Sequence, residues 1–260
     1  MLLNIGIKKR GLYIVKIYNS FLLYRIKMSQ NENVLIERIE GMEDDIKEYG
    51  CSILKNSENG HCICLLSIIG EIEGHESARE QMKTTKYEHI LPILAKAEED
   101  AEIDGILFLI NTVGGDVSCG LALAEFITTL SKPTVSLVIG DSHSIGVPLS
   151  VASDVTLIAP SATVIIHPVR MNGPVLGAPQ TFEYFKLIQE RILNFIAKHS
   201  QVKKEKLEEW MVSPGILSRD LGTIFVGEEA VNAGLYTKVG GICDALSILH
   251  KRIEENRTGL

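Results

Sequence analysis

Five short runs of aliphatic and β-branched residues recur between longer amphipathic segments: 62–69 (CICLLSII), 105–110 (GILFLI), 134–139 (TVSLVI), 155–159 (VTLIA) and 163–166 (TVII). Runs this short and nearly continuous in apolar character predict strands buried on both faces, as in parallel sheets covered by helices. The segments 87–100, 118–130, 145–153, 181–199, 203–211 and 227–233 have helical spacing. Strand and helix alternate, so the expected fold class is α/β, with mostly parallel strands covered by helices. Asp116 and Ser118 can cap the start of GLALAEFITTL, and Pro133 follows its end. In 181–199, Phe182, Phe185, Ile188, Ile192, Phe195 and Ile196 form a stripe suited to a core or a partner interface.

A chain of 260 residues with 45% hydrophobic content supports one large domain. Residues 28–60 are polar and charged without a sustained apolar period, so residues 1–60 are expected to form a mobile N-terminal arm and 61–260 the domain. The first 27 residues hold Lys8, Lys9, Arg10, Lys16, Arg25 and Lys27 and no acid; against a total of −7, the rest of the chain carries −13. An acidic body argues against nucleic acid as a partner. LYIVKIYNSFLL is interrupted by Lys16 and Asn19, too short and polar for a transmembrane segment, and it lacks a signal-peptide cleavage site. The expectation is that translation starts at Met28. Five cysteines (51, 62, 64, 119 and 243) without a disulfide-framework spacing fit a reducing, cytoplasmic setting. His61-Cys62-Ile63-Cys64 reads as the start of a buried strand rather than a metal site, and neither a metal nor a cofactor is expected.

Three stretches carry candidate chemistry. In INTVGGD (110–116), two glycines directly after a strand let N–H groups approach a developing oxyanion. GDSHSIG (140–146) sets Asp141, Ser142, His143 and Ser144 where a strand meets a helix, a place that exposes a nucleophilic hydroxyl. The residues alone leave Ser142 and Ser144 both open. TVIIHPVR (163–170) ends an apolar strand in His167, a residue type suited to general-base work.

Together, NTVGGDVSCGLALAEFI, GDSHSIGVPLSVASD and VIIHPV resemble the proteolytic subunit of the Clp protease over roughly residues 62–250. EIEGH, TTKYEH, HSIGVP, IHPVR and PQTFEY resemble its translocation-enhancing subfamily more narrowly. The resemblance implies the fold shared by Clp peptidases and crotonases, and serine endopeptidase activity. It makes Ser144 the nucleophile and His167 the base, with an oxyanion hole from the N–H of Ile145 and one of Gly114 or Gly115. The orienting acid is assigned to Asp220, two residues before Gly222, the position that aligns without a gap; Asp154 is the fallback. His143 stands where the family usually has a small residue. The resemblance also implies a peptide or unfolded-protein substrate, paired in part with the segment 171–180. A homo-oligomeric ring is implied, as is an ATP-dependent unfoldase partner, since this chain has no ATP-binding loop. The competing readings are a proteolytically weak or inactive scaffold supporting protein translocation, an enoyl-hydratase-like enzyme, and a serine–lysine peptidase. The last has no lysine between residues 133 and 185 to use.

Overall fold

The computed structural model describes residues 6–9, 12–17, 20–25, 50–75, 82–170, 177–214 and 222–259. The chain divides into two units at residues 44 and 45. In the first, β1 (Gly6–Lys9), β2 (Leu12–Ile17) and β3 (Ser20–Arg25) make an antiparallel sheet in the order β1-β2-β3. These strands lie in the leader, within the stretch that composition assigns to a mobile arm.

The second unit is built on a nine-stranded sheet whose main path runs β11-β10-β8-β7-β5-β4. Its centre is parallel: β5 (Cys62–Glu73), β7 (Gly105–Gly115), β8 (Thr134–His143) and β10 (Thr163–Ile166). Two antiparallel strands close the edges, β4 (Cys51–Lys55) on β5 and β11 (Thr223–Val226) on β10. β6 (Thr84–Lys86) joins the end of β5, and β9 (Val155–Ile158) lies between β8 and β12 (Lys238–Val239), all in parallel. The expected α/β class is therefore found, with antiparallel pairing only at the margins. β4 precedes residue 61, the expected start of the domain. A five-residue edge strand whose residues are half-buried on both faces, with none in the core, leaves no apolar period for a sequence to display.

The helices are α1 (Tyr87–Glu99), α2 (Val117–Thr128), α3 (Gly146–Val151), α4 (Ala178–His199), α5 (Lys204–Val212), α6 (Glu228–Asn232) and α7 (Ile242–Thr258). Asp116 caps α2, accepting from the Cys119 N–H at 2.8 Å; Ser118 lies inside the helix. Most helices pack on one face of the sheet around Leu66, Phe108, Leu123, Val147 and Ile196. α7 covers the other face, setting Ala245, Leu249 and Ile253 on Ile63, Leu107, Val135 and Leu137. The stripe of α4 divides: Ile192, Phe195 and Ile196 are buried, whereas Phe182 is 67% exposed.

β8 changes neighbour halfway along. Val135 to Val138 pair with β9, and Asp141 to His143 pair with β10. This exchange brings the carboxyl ends of β8 and β10 side by side, with Ile165 opposite His143. In open α/β sheets, such ends are where ligands bind.

A histidine pair fastens α7 to the sheet. His61, buried, has Nδ1 2.9 Å from His250 Nδ1 and Nε2 2.5 Å from Glu254 Oε1. Asn56 Nδ2 lies 3.4 Å from His250 Nε2. An amide donor there makes His250 Nδ1–H the donor to His61, whose own Nε2–H meets Glu254. Burial, then the neighbouring His61, lowers the His250 pKa from 6.5; burial also lowers those of His143 and His199. The unfolded chain thus takes up protons at these sites before the folded one, so their contribution is complete above pH 6.5 and is lost as the pH falls through the folded values. The thermal unfolding midpoint should fall between pH 7 and pH 5, and His250→Gln should flatten that dependence. An equal slope in both proteins would remove the histidine pair as its source.

Candidate active site

Strand alternation sorts the four polar side chains at the end of β8. Ser142 points into the core, fully buried, and donates to Ser150 Oγ at 2.9 Å. It is not accessible to a substrate. His143 turns to the opposite face, where its Nε2 lies 2.7 Å from Thr163 Oγ1 and 3.3 Å from Asp141 Oδ1. The Thr163 hydroxyl already donates to Asp141 Oδ1 at 2.7 Å, so His143 Nε2–H is the donor of its contact. Burial lowers the His143 pKa; Asp141 opposes the shift and His167 adds to it. The sequence stretch therefore contains one buried hydroxyl, one outward imidazole clamp and one remaining serine.

That serine is Ser144. Its φ of 57° is the one positive value at a non-glycine position among the described residues. Such a conformation costs about 1–3 kcal/mol and persists only where the surroundings enforce it. Here the Ser144 N–H donates to Ile165 O at 3.0 Å, and its carbonyl accepts from the Val147 N–H at 3.1 Å. Gly114 fits against the turn from β7, with φ of 95°. A Cβ on Gly114 would stand 2.7 Å from Ser144 Cβ and 2.8 Å from His143 O, which only glycine avoids.

His167 follows β10 directly, and Ser144 follows β8. Both line one cavity of about 140 Å³, with Gly115, Val147, Ile166, Ile192 and Met211. His167 Nδ1 lies 2.7 Å from Pro168 O; a carbonyl only accepts, so Nδ1 carries the proton and Nε2 is the basic nitrogen. The Gly114 N–H donates to Thr112 Oγ1 at 3.0 Å. Ile145, buried, is the N-cap residue of α3.

The acid is a different matter. Asp220 lies outside the described residues. Gly222 lies against the histidine: a Cβ there, at φ of 138°, would stand 2.7 Å from Ile166 O and 3.0 Å from His167 Cβ. Backbone fills the place at which a gapless alignment would put the acid. Asp154 is no substitute, because it accepts from the Thr134 N–H at 2.8 Å and the Thr134 hydroxyl at 3.0 Å. Thr134 begins β8, roughly 30 Å of extended strand from the end that leads into Ser144. The clamp on His143 was legible from strand alternation once β8 was known to reach residue 143. Nothing in the sequence pointed to Ser150 or Tyr236, which hold the turn from behind.

The family model for Clp protease matches residues 73–242. The translocation-enhancing protein TepA of Halalkalibacterium halodurans is 48% identical over 217 residues, which is 84% of each chain. In fold, the structure resembles a mutant of ClpP1 from Listeria monocytogenes, with a TM-score of 0.55 and 20% identity over 70% of this chain and 94% of that one. The family model covers more than half of the chain and the relative is well above 30% identical, so the chain belongs to the Clp protease family.

Proposed function

We propose that this chain is a serine endopeptidase acting on peptides or unfolded proteins, with Ser144 as nucleophile and His167 as general base. The observation that carries it is the shared cavity: a serine held in a strained turn and a histidine with basic Nε2 line the same space. In the reaction, Ser144 Oγ attacks the peptide carbonyl as His167 Nε2 takes its proton, then returns it to the leaving amine. The N–H groups of Ile145 and Gly115 receive the oxyanion, since that of Gly114 is spent on Thr112. Asp220 is assigned as the acid that steadies the imidazolium, and the Pro168 carbonyl favours the same tautomer. The apolar lining from Val147, Ile166, Ile192 and Met211 suits one aliphatic side chain of the substrate. No metal or cofactor enters these steps.

Assembly into a homo-oligomeric ring is part of the proposal. Phe182, Tyr184 and Leu187 on the first half of α4 are 67%, 58% and 59% exposed in the single chain, as an interface helix would leave them. An ATP-dependent unfoldase would feed such a ring in the cytoplasm. Ile69 and Ile139 continue the strand alternation of the α7-covered face and are 40% and 43% exposed, an apolar surface suited to such a partner. No helix among the described residues is long and apolar enough to cross a membrane. Assistance to protein export is also part of the proposal, supported by the name of the translocation-enhancing relative.

One observation favours a second reading, a weakened or silent peptidase acting as a scaffold: Gly222 leaves no room for an acid at its own position. Fluorophosphonate labelling and cleavage of a fluorogenic peptide distinguish the two. Ser144→Ala and His167→Ala should each lower turnover by at least about 10³-fold, with labelling of Ser144→Ala abolished. Gly114→Ala, which drives a methyl into Ser144, should slow labelling by about 10²-fold. Equal labelling of wild type and Ser144→Ala would exclude Ser144. Full complementation of a deletion strain by Ser144→Ala would make the scaffold the function.

A further inference from the structure

We propose that Tyr236, Ser150 and Ser142 form a buried hydroxyl relay that positions Ser144 for attack, an inference that rests on the peptidase reading above. Tyr236 lies between α6 and β12, and its hydroxyl stands 2.6 Å from Ser150 Oγ in α3. Ser142 Oγ donates to the same Ser150 Oγ at 2.9 Å. Ser150 Oγ donates in turn to Val147 O at 2.9 Å. A hydroxyl has one proton to give, so with Ser150 committed to Val147, Tyr236 must also donate to Ser150. Ser150 Oγ then gives one bond and accepts two, and every proton in the group has a defined place. Ser136 adds a bond from near the start of β8, donating to Ser150 O at 2.6 Å.

The position of this group separates it from an ordinary buried polar contact. Ser142 is two residues before Ser144 on the strand side, and Val147 is three residues after it on the helix side. The relay therefore holds both flanks of the strained residue and ties them to a third element that touches neither flank in sequence. Ser142 and Ser150 have no exposed surface, and Tyr236 is 4% exposed. Burial pushes the Tyr236 hydroxyl up to about 12, so it remains a donor across the working pH range. Hydroxyls in apolar surroundings carry a desolvation cost that their mutual bonds offset only in one arrangement, so a satisfied network selects that arrangement over its neighbours. The arrangement selected here orients the Ile145 peptide as well, since that residue lies between Ser144 and the held Val147.

Tyr236→Phe removes one donor and keeps the ring; Ser142→Ala removes the other. Both are measured in the full chain by kcat and KM on a fluorogenic peptide, by the rate of fluorophosphonate labelling, and by thermal midpoint. Each should lower kcat and the labelling rate by about tenfold with KM within about twofold, the signature of a displaced nucleophile rather than lost binding. The double variant should lose less than the product of the two, because both donors meet one acceptor. A purely structural role would lower the midpoint and leave kcat per folded molecule unchanged, and that result would overturn the relay. Should Tyr236→Phe fail to fold, Ser142→Ala decides on the same criteria. Ser144→Ala as active as wild type, or a wild type that neither cleaves nor labels, would overturn the peptidase reading and the relay together. An inactive Ser144→Ala beside relay variants of wild-type kcat would overturn the relay alone.

Discussion

The structure depends most on the short parallel pairing between the end of β8 and β10. Three residue pairs, Asp141 with Thr163, Ser142 with Val164 and His143 with Ile165, decide where both strands stop. The Ser144 N–H continues the ladder by one bond to Ile165 O, so the turn is attached to the strand that delivers the histidine. Shifting this register by one residue would reverse the face of every side chain beyond Gly140. Ser142 would then turn outward and His143 into the core, and the serine and histidine would no longer open on a common cavity. Alternation in this stretch is therefore a condition of the proposed chemistry as well as of the packing.

The strain at Ser144 follows from the same arrangement. A non-glycine residue at φ of 57° must be held from several sides, and here the holders are independent. β10 takes its N–H, the first turn of α3 takes its carbonyl, and Gly114, lacking a Cβ, leaves the room that the Ser144 Cβ occupies. The buried hydroxyls of Ser142 and Ser150 hold the flanks. No single contact of this set is large. The pose is enforced because relaxing the backbone would break bonds to β10 and to α3 and disturb the fit against β7 at once.

Much of this was legible in the residues. Apolar runs at 105–110, 134–139 and 163–166 identified the central strands, because side chains buried on both faces leave an uninterrupted signature. The strands proved longer than their apolar parts: β7 continues through Gly115 and β8 through His143, where backbone pairing persists after the side chains become polar. α7 was not among the helices read from the sequence: its apolar face is carried by Ala245, Leu246, Ile248, Leu249 and Ile253, and its second half is mostly charged. β4 and β11 escaped for the reason edge strands often do, since half-exposed short strands carry little pattern. At the candidate site, Ser144, His167 and Gly115, singled out through their order and spacing, line one cavity. The choice between Ser142 and Ser144 on residues alone was not legible, since it depends on which face of β8 each occupies. Ser150 and Tyr236 are 86 residues apart and meet only through the fold.

The position of Gly222 bears on how much catalysis the proposed pair of Ser144 and His167 could sustain. An orienting group does two things for an imidazole: it fixes which nitrogen bears the proton, and it stabilises the positive ring formed when the serine is deprotonated. The Pro168 carbonyl, 2.7 Å from His167 Nδ1, does the first as well as a carboxylate would. For the second, a neutral carbonyl dipole gives less than a full negative charge in a site of low dielectric. His143 works in the opposite direction, because a proton on it would repel one on His167. Asp141 and Thr163 hold His143 outward by its Nε2, and burial favours its neutral form. In the proposed reaction the clamp on His143 would therefore shield the imidazolium from a second positive charge, while Asp220 would supply the missing negative one.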